Sequence, residues 1–168
     1  MSSLKSLNVL LVDDNQNMRA IAAAVLHSAD IRSVKEAEEG TAAFDLLRRH
    51  PIDLAIVDFN MFPLDGVAFT RLVRTSPDSP NVYLPIIMMT GHSERARVYE
   101  ARDAGVNEFI VKPITAKAML DRINAVILRP RAFIKAEGYV GPCRRRRDPP
   151  DYEGPFRRYT DAGRSSAV

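Results

Sequence analysis

The sequence has a single cysteine in 168 residues, Cys143, so it has no intramolecular disulfide framework, and a reducing compartment is the setting that fits. No apolar run approaches the ~20 residues needed to span a bilayer. The first one, Leu7 to Val12, is short and ends in two aspartates, unlike the apolar stretch of a signal peptide. The expectation is a soluble cytoplasmic protein. A large excess of one charge is also lacking, since 24 Lys and Arg face 21 Asp and Glu. That near balance conceals an asymmetry. Residues 1–128 hold 14 basic and 16 acidic side chains, whereas residues 129–168 hold 10 and 5. Opposite charge in two segments points to a different partner for each.

The hydrophobic share, 46%, is ordinary for a chain with a real core. Residues 1–128 alternate strand and helix signals five times. The strand candidates are Asn8–Val12, Ser33–Glu36, Leu54–Val57, Ile86–Met89 and Glu108–Val111. Three of them are apolar runs without clean alternation, as in parallel strands covered on both faces. Met18, Ile21, Ala22 and Val25 share a face of the first helical pattern, and Met119, Leu120, Ile123 and Ile127 share one of the last. Five βα units with right-handed crossovers make an α/β fold, a doubly wound five-stranded parallel sheet, whose ligands bind at the carboxyl ends of the strands.

That edge would gather a distinctive set of side chains. Asp13 and Asp14 follow the first strand, Asp58 ends the third, Thr90 the fourth and Lys112 the fifth. A single aspartate at a strand end is also what a helix cap or a turn requires. Five such positions at one edge are harder to read as separate caps. Clustered carboxylates repel, and so either raise a pKa or hold a cation. Mg²⁺ takes oxygen ligands and keeps positions open for a phosphate. Asp58 would then attack a phosphoryl group, with the metal and Lys112 neutralising its oxygens and Thr90 hydrogen-bonding to them.

The segments "LLVDD", "VDFNM…LDG", "MMTG" and "FIVKP", in this order over about residues 5–128, resemble the CheY-like receiver domains of bacterial response regulators. The resemblance implies a flavodoxin-like receiver that acts as a signalling adaptor and not as an enzyme. It implies a sensor histidine kinase as partner and Asp58 as phosphoacceptor. Asp14 would be the direct Mg²⁺ ligand, with Asp13 beside it, Asp58 itself in the set, and Asn60 offering its backbone carbonyl. Thr90 and Lys112 would contact the phosphoryl group, Phe109 would be the aromatic switch (a plain core Phe is the other reading), and the Lys112–Pro113 bond would be cis. One departure stands beside the phosphoacceptor: Phe62 occupies the place where receivers often carry proline, and Pro63 follows it. His92 would lie at the mouth of the site.

Beyond Leu128 the pattern stops. Residues 129–168 contain five Pro and four Gly, and too few apolar side chains to offset chain entropy alone, so a largely disordered extension is expected. The less polar stretch "RPRAFIKAEGYV" is a candidate for docking on the folded domain. The extension also repeats itself. Tyr139, Gly141, Pro142, Arg144, Arg145 and Asp148 return thirteen residues later as Tyr152, Gly154, Pro155, Arg157, Arg158 and Asp161. Arginine forks suit guanine or phosphate, tyrosine stacks on a base, and a carboxylate accepts from the N–H groups of guanine. Two copies suit a two-fold ligand such as cyclic di-GMP. The acids Asp148, Asp151, Glu153 and Asp161 interrupt the positive field, which does not suit a polynucleotide backbone.

Arg-x-x-Asp, seen as Arg145/Asp148 and Arg158/Asp161, also resembles the inhibitory motif of diguanylate cyclases. Joined to a receiver, the extension resembles that of the Cle group of CheY-like proteins. The resemblance implies a tail that orders around cyclic di-GMP through Tyr139, Arg144, Arg145, Arg146, Arg147, Asp148, Asp151, Tyr152, Arg157, Arg158 and Asp161. It also implies engagement of a flagellar motor switch protein and recruitment to the flagellated pole. The alternative is a receiver whose basic tail tethers it to nucleic acid or an anionic surface. A phosphate sink that only drains a kinase would leave the repeat without a purpose.

Overall fold

The computed structural model describes residues 2–91 and 96–144. The apolar runs become parallel strands β1 (Asn8–Val12), β2 (Ser33–Ala37), β3 (Leu54–Asp58), β4 (Ile86–Thr90) and β5 (Glu108–Val111), in spatial order β2-β1-β3-β4-β5. The helices are α1 (Ser2–Lys5), α2 (Gln16–Ser28), α3 (Gly40–Arg49), α4 (Gly66–Thr75), α5 (Val98–Ala104) and α6 (Ala116–Leu128). This is the expected doubly wound receiver sheet. Three strands run one residue further than their apolar signal, because Ala37 pairs with Val12, Asp58 with Met89 and Thr90 with Val111. Polar Asp58 and Thr90 therefore belong to the ladder itself.

Alternate residues of each strand feed two cores. Leu10, Val12, Val57 and Met88 pack with Phe69 and Val73 of α4, while Val9, Leu11, Ile56 and Met89 pack with Leu26 of α2 and Ile123 of α6. Each fully buried side chain of this size contributes about 1.5–3 kcal/mol. Side-chain oxygens of Asn15, Asp65 and Thr115 cap the helices α2, α4 and α6 by accepting from backbone N–H groups in the first turn.

The inward face of α2 differs from the apolar pattern. Arg19, Ala22, Ala23 and Leu26 are buried, and Ile21 is 48% exposed. Arg19 takes the inward position because its guanidinium donates to the Asp13 carbonyl at 2.7 Å and pairs with Glu36 and Glu38. A purely apolar template misses a buried arginine of this kind.

The expected disorder beyond Leu128 does not hold for residues 129–144. Strands β6 (Phe133–Ala136) and β7 (Tyr139–Pro142) form an antiparallel hairpin against the receiver. Its docking site is the amino edge of the sheet. Phe133 meets the Tyr83 ring edge-on at 4.7 Å and lies under the Arg74 guanidinium. Arg131 donates to the carbonyls of Asn107 and Cys143. Gly105, at φ 109°, caps α5, and a side chain there would stand 2.5 Å from the Val140 carbonyl oxygen. Cys143 is buried as well, although no core pattern surrounds it in the sequence. These residues are too few to fold alone, and the receiver supplies the rest of their apolar surroundings.

Candidate functional site

The sheet brings the predicted residues to its carboxyl edge. Asp58 is the last residue of β3 and Thr90 the last of β4, and both are buried. Asp13 follows β1 and is 1% exposed, while Asp14 beside it faces solvent. One oxygen from each of Asp13, Asp14 and Asp58 lies within 4.8 Å of the others. Gly66, at the start of α4, leaves no room for a Cβ against the Asp58 carbonyl, so α4 can press directly on the end of β3. Lys112, just past β5, sends its ammonium to 2.6 Å from Asp58 Oδ1 and 3.9 Å from Asp13 Oδ2. The Lys112–Pro113 bond is cis, as is Phe62–Pro63.

Electrostatics separate the carboxylates. Burial pushes Asp58 up to about 6, with the Lys112 hydrogen bond opposing and the Asp13 charge reinforcing the shift. Burial also raises Asp13, against the N–H of Asn15, which donates to Oδ1 at 2.9 Å. Asp13 Oδ2 is buried and accepts no hydrogen bond among the described residues. An oxygen-only donor set with one orphaned buried acceptor fits a hard divalent cation such as Mg²⁺. Asp13, Asp14 and Asp58, with the Asn60 carbonyl, would hold it, and the bound ion would supply positive charge against phosphoryl oxygens. The chain's own part is to aim the Asp58 carboxylate, keep it in a dry, shaped recess, and hold the Lys112 charge beside it.

Phe109 is half-buried on β5, opposite Met88, and packs against the core under α4 and α5. Phe62 is 85% exposed in the loop after β3. Arg97 was not anticipated. Its guanidinium lies over the Phe59 ring at 4.9 Å and pairs with Asp65 and Glu100, tying α5 to the loop beside Asp58. No motif marks it, because the tie joins residues far apart in sequence. His92 lies outside the described residues.

The tail residues divide. Tyr139 is 7% exposed, its hydroxyl donates to the Pro142 carbonyl at 2.6 Å, and its ring lies 4.1 Å beneath the Arg144 guanidinium. Both are therefore packed at the amino edge, at the opposite end of the strands from Asp58. Arg145, Arg146, Arg147, Asp148, Asp151, Tyr152, Arg157, Arg158 and Asp161 lie outside the described residues.

A doubly wound sheet ending in this acidic recess defines a phosphorylatable signalling domain. Residues 9–124 match the response regulator receiver domain family, and the chain belongs to that family. It is 33% identical to the chemotaxis protein CheY of Pseudomonas aeruginosa, over 73% of this chain and 98% of that protein. It is 31% identical to the chemotaxis protein CheY-3 of Vibrio cholerae, over 74% of this chain and 95% of that one. Among solved structures, the receiver domain of the sensor histidine kinase PA1611 from P. aeruginosa, with magnesium coordinated in its active-site cleft, superposes with a TM-score of 0.61. It is 28% identical, over 71% of this chain and 94% of that one. The protein is thus a CheY-like response regulator with a phosphorylatable receiver domain and an acidic pocket, in a family whose members take a sensor histidine kinase as partner. No helix among the described residues is long and apolar enough to cross a membrane.

Proposed function

We propose that this protein is a signalling adaptor with two inputs, a phosphoryl group at Asp58 and cyclic di-GMP at the arginine-rich tail, and that its output is engagement of the flagellar motor switch. At the receiver, an Asp58 carboxylate oxygen forms a bond to phosphorus as the bond from phosphorus to the kinase's histidine nitrogen breaks. Lys112 and Thr90 contact the transferred group, and Phe109 reports its arrival. At the tail, the arginines and acids from Tyr139 to Asp161 clasp the two guanines and two phosphates of the ligand.

The thirteen-residue repeat carries the tail reading, because a charge run made for solubility has no reason to recur with its Tyr, Gly-Pro, Arg-Arg and Asp in register. The family match ends at residue 124, so the repeat lies beyond the receiver itself. The relatives named for chemotaxis support the motor as the output.

Calorimetric titration with cyclic di-GMP and cyclic di-AMP at two salt concentrations tests the reading. A guanine reader prefers cyclic di-GMP and weakens when Asp148→Asn or Asp151→Asn removes an acid. A polyanion tether ranks ligands by charge, weakens steeply with salt, and tightens when an acid is lost. The second pattern would replace this reading with the tether.

A further inference from the structure

The first copy of the repeat does not stand apart from the receiver. Arg144 Nη2 lies 3.3 Å from Asp103 Oδ1, on the last turn of α5. The Arg144 guanidinium stacks on Tyr139, its Nε is buried with no hydrogen-bond partner among the described residues, and 27% of the side chain remains exposed. Two features fix this arrangement in place. The Tyr139 hydroxyl is tied to the Pro142 carbonyl, and Gly141 is so close to Gly105 that a Cβ on it would stand 2.7 Å from the Gly105 Cα. Asp103 itself is 53% exposed, and its second oxygen has no ion-pair partner among the described residues.

A planar cation backed by an aromatic ring, with a half-free carboxylate at its edge, has the chemistry of a guanine reader. The base stacks on the guanidinium, and the carboxylate accepts from the N–H groups at guanine N1 and N2. Adenine presents no such pair of donors. We propose that Asp103, Tyr139 and Arg144 form a guanine-reading half-site that is built on the receiver before the ligand arrives, with Asp103 as its carboxylate. The inference rests on the cyclic di-GMP reading of the tail and adds to it a residue far outside the repeat. It also makes the two copies unequal. Residues 139–144 of the first are held against α5 before the ligand arrives, so their ordering cost, about 1–2 kcal/mol per residue of backbone, is met by folding and not by the ligand.

The test is calorimetry on the full-length protein with cyclic di-GMP and cyclic di-AMP at fixed salt, with thermal melting as a control for folding. Asp103→Asn should weaken cyclic di-GMP by about tenfold, the loss of one charge-assisted pair of hydrogen bonds, and narrow the preference over cyclic di-AMP. Asp121→Asn, an exposed acid on α6 paired with Lys117, should leave both affinities as they are. Unchanged affinity in Asp103→Asn overturns the assignment. Tighter binding overturns it too, since Asp103 would then be a competitor that occupies Arg144. The tail reading fails by a different result. A wild-type protein without preference for cyclic di-GMP removes both proposals, whereas loss of binding in Arg157→Ala/Arg158→Ala with Asp103→Asn unaffected removes this one alone.

Discussion

Lys112 Nζ sits 2.6 Å from Asp58 Oδ1, yet Asp58 remains harder to ionise than a carboxylate in water. Burial outweighs the ion pair. The recess thus holds a carboxylate that is ionised at neutral pH and stands close to the second buried carboxylate of Asp13. A divalent cation relieves the repulsion between them.

Acetyl phosphate or beryllofluoride with Mg²⁺ should therefore modify the wild-type receiver at Asp58. Amide NMR shifts should change around Asp58, Thr90 and Lys112, with a mass increase in the acetyl phosphate reaction. Both responses should vanish in Asp58→Asn, and an equal response in that variant rules the assignment out.

With divalent ions chelated, stability should fall as pH rises through the window from about 4 to about 6. The folded Asp58 has the higher pKa, about 6 against an ordinary 3.8, so the native state holds more protons there than the unfolded chain. Its stabilising proton is fully present below the unfolded value and is lost as pH passes the folded one. Asp58→Asn should be the more stable protein above pH 6 by roughly 2–3 kcal/mol, with the difference shrinking toward pH 4. Paired melting curves across that range check it, and parallel curves would contradict it.

Arg74 holds the receiver's amino-edge loops by a buried charge and carries the hairpin's Phe133 ring against its guanidinium. It donates to the Gly105 carbonyl from Nε and Nη2, to Val82 from Nη1, and to Asn107 Oδ1. Burial pushes it down to about 10, which still leaves it charged at neutral pH. Arg74→Ala strands the Gly105 and Val82 carbonyls, while Asn107 Oδ1 keeps the Ile86 N–H at 3.0 Å, and should cost about 3–5 kcal/mol in chemical denaturation, with faster amide exchange in β7. A cost below about 1 kcal/mol would show that water replaces the guanidinium without loss.

Ending the chain at Leu128 should leave a receiver that still melts cooperatively, at a lower temperature than a chain ending at Arg144. The longer form keeps Phe133, Tyr139 and Cys143 over the amino edge, and the shorter one opens that edge to water. Differential scanning calorimetry of the two forms decides it. Equal melting temperatures would mean that the hairpin adds no stability.

The strands and the acidic recess were legible because each depends on local signals: apolar runs, and polar residues set immediately after them. Asp13, Asp14, Asp58, Thr90 and Lys112 converge by topology alone. The inward Arg19 and the tie from Arg97 to Phe59 were not legible, since each depends on partners that only the folded chain brings near. The hairpin was half legible. Its residues are apolar enough to dock, but composition assigns the whole segment to disorder, and nothing local reveals that Arg74, Tyr83 and Gly105 are waiting for it. The roles of Arg145 to Asp161 rest on the repeat.

The hairpin's place at the amino edge has a consequence for traffic. The recess opens at one pole of the sheet and the tail departs from the other, about 15 Å away along strands of four or five residues. A kinase covering the first pole leaves the second in open water. On the proposed reading, phosphorylation and capture of the hairpin's end would address sites a strand's length apart, in either order. Within the described residues α5 is the element that touches both poles, through Arg97 at one end and Asp103 at the other.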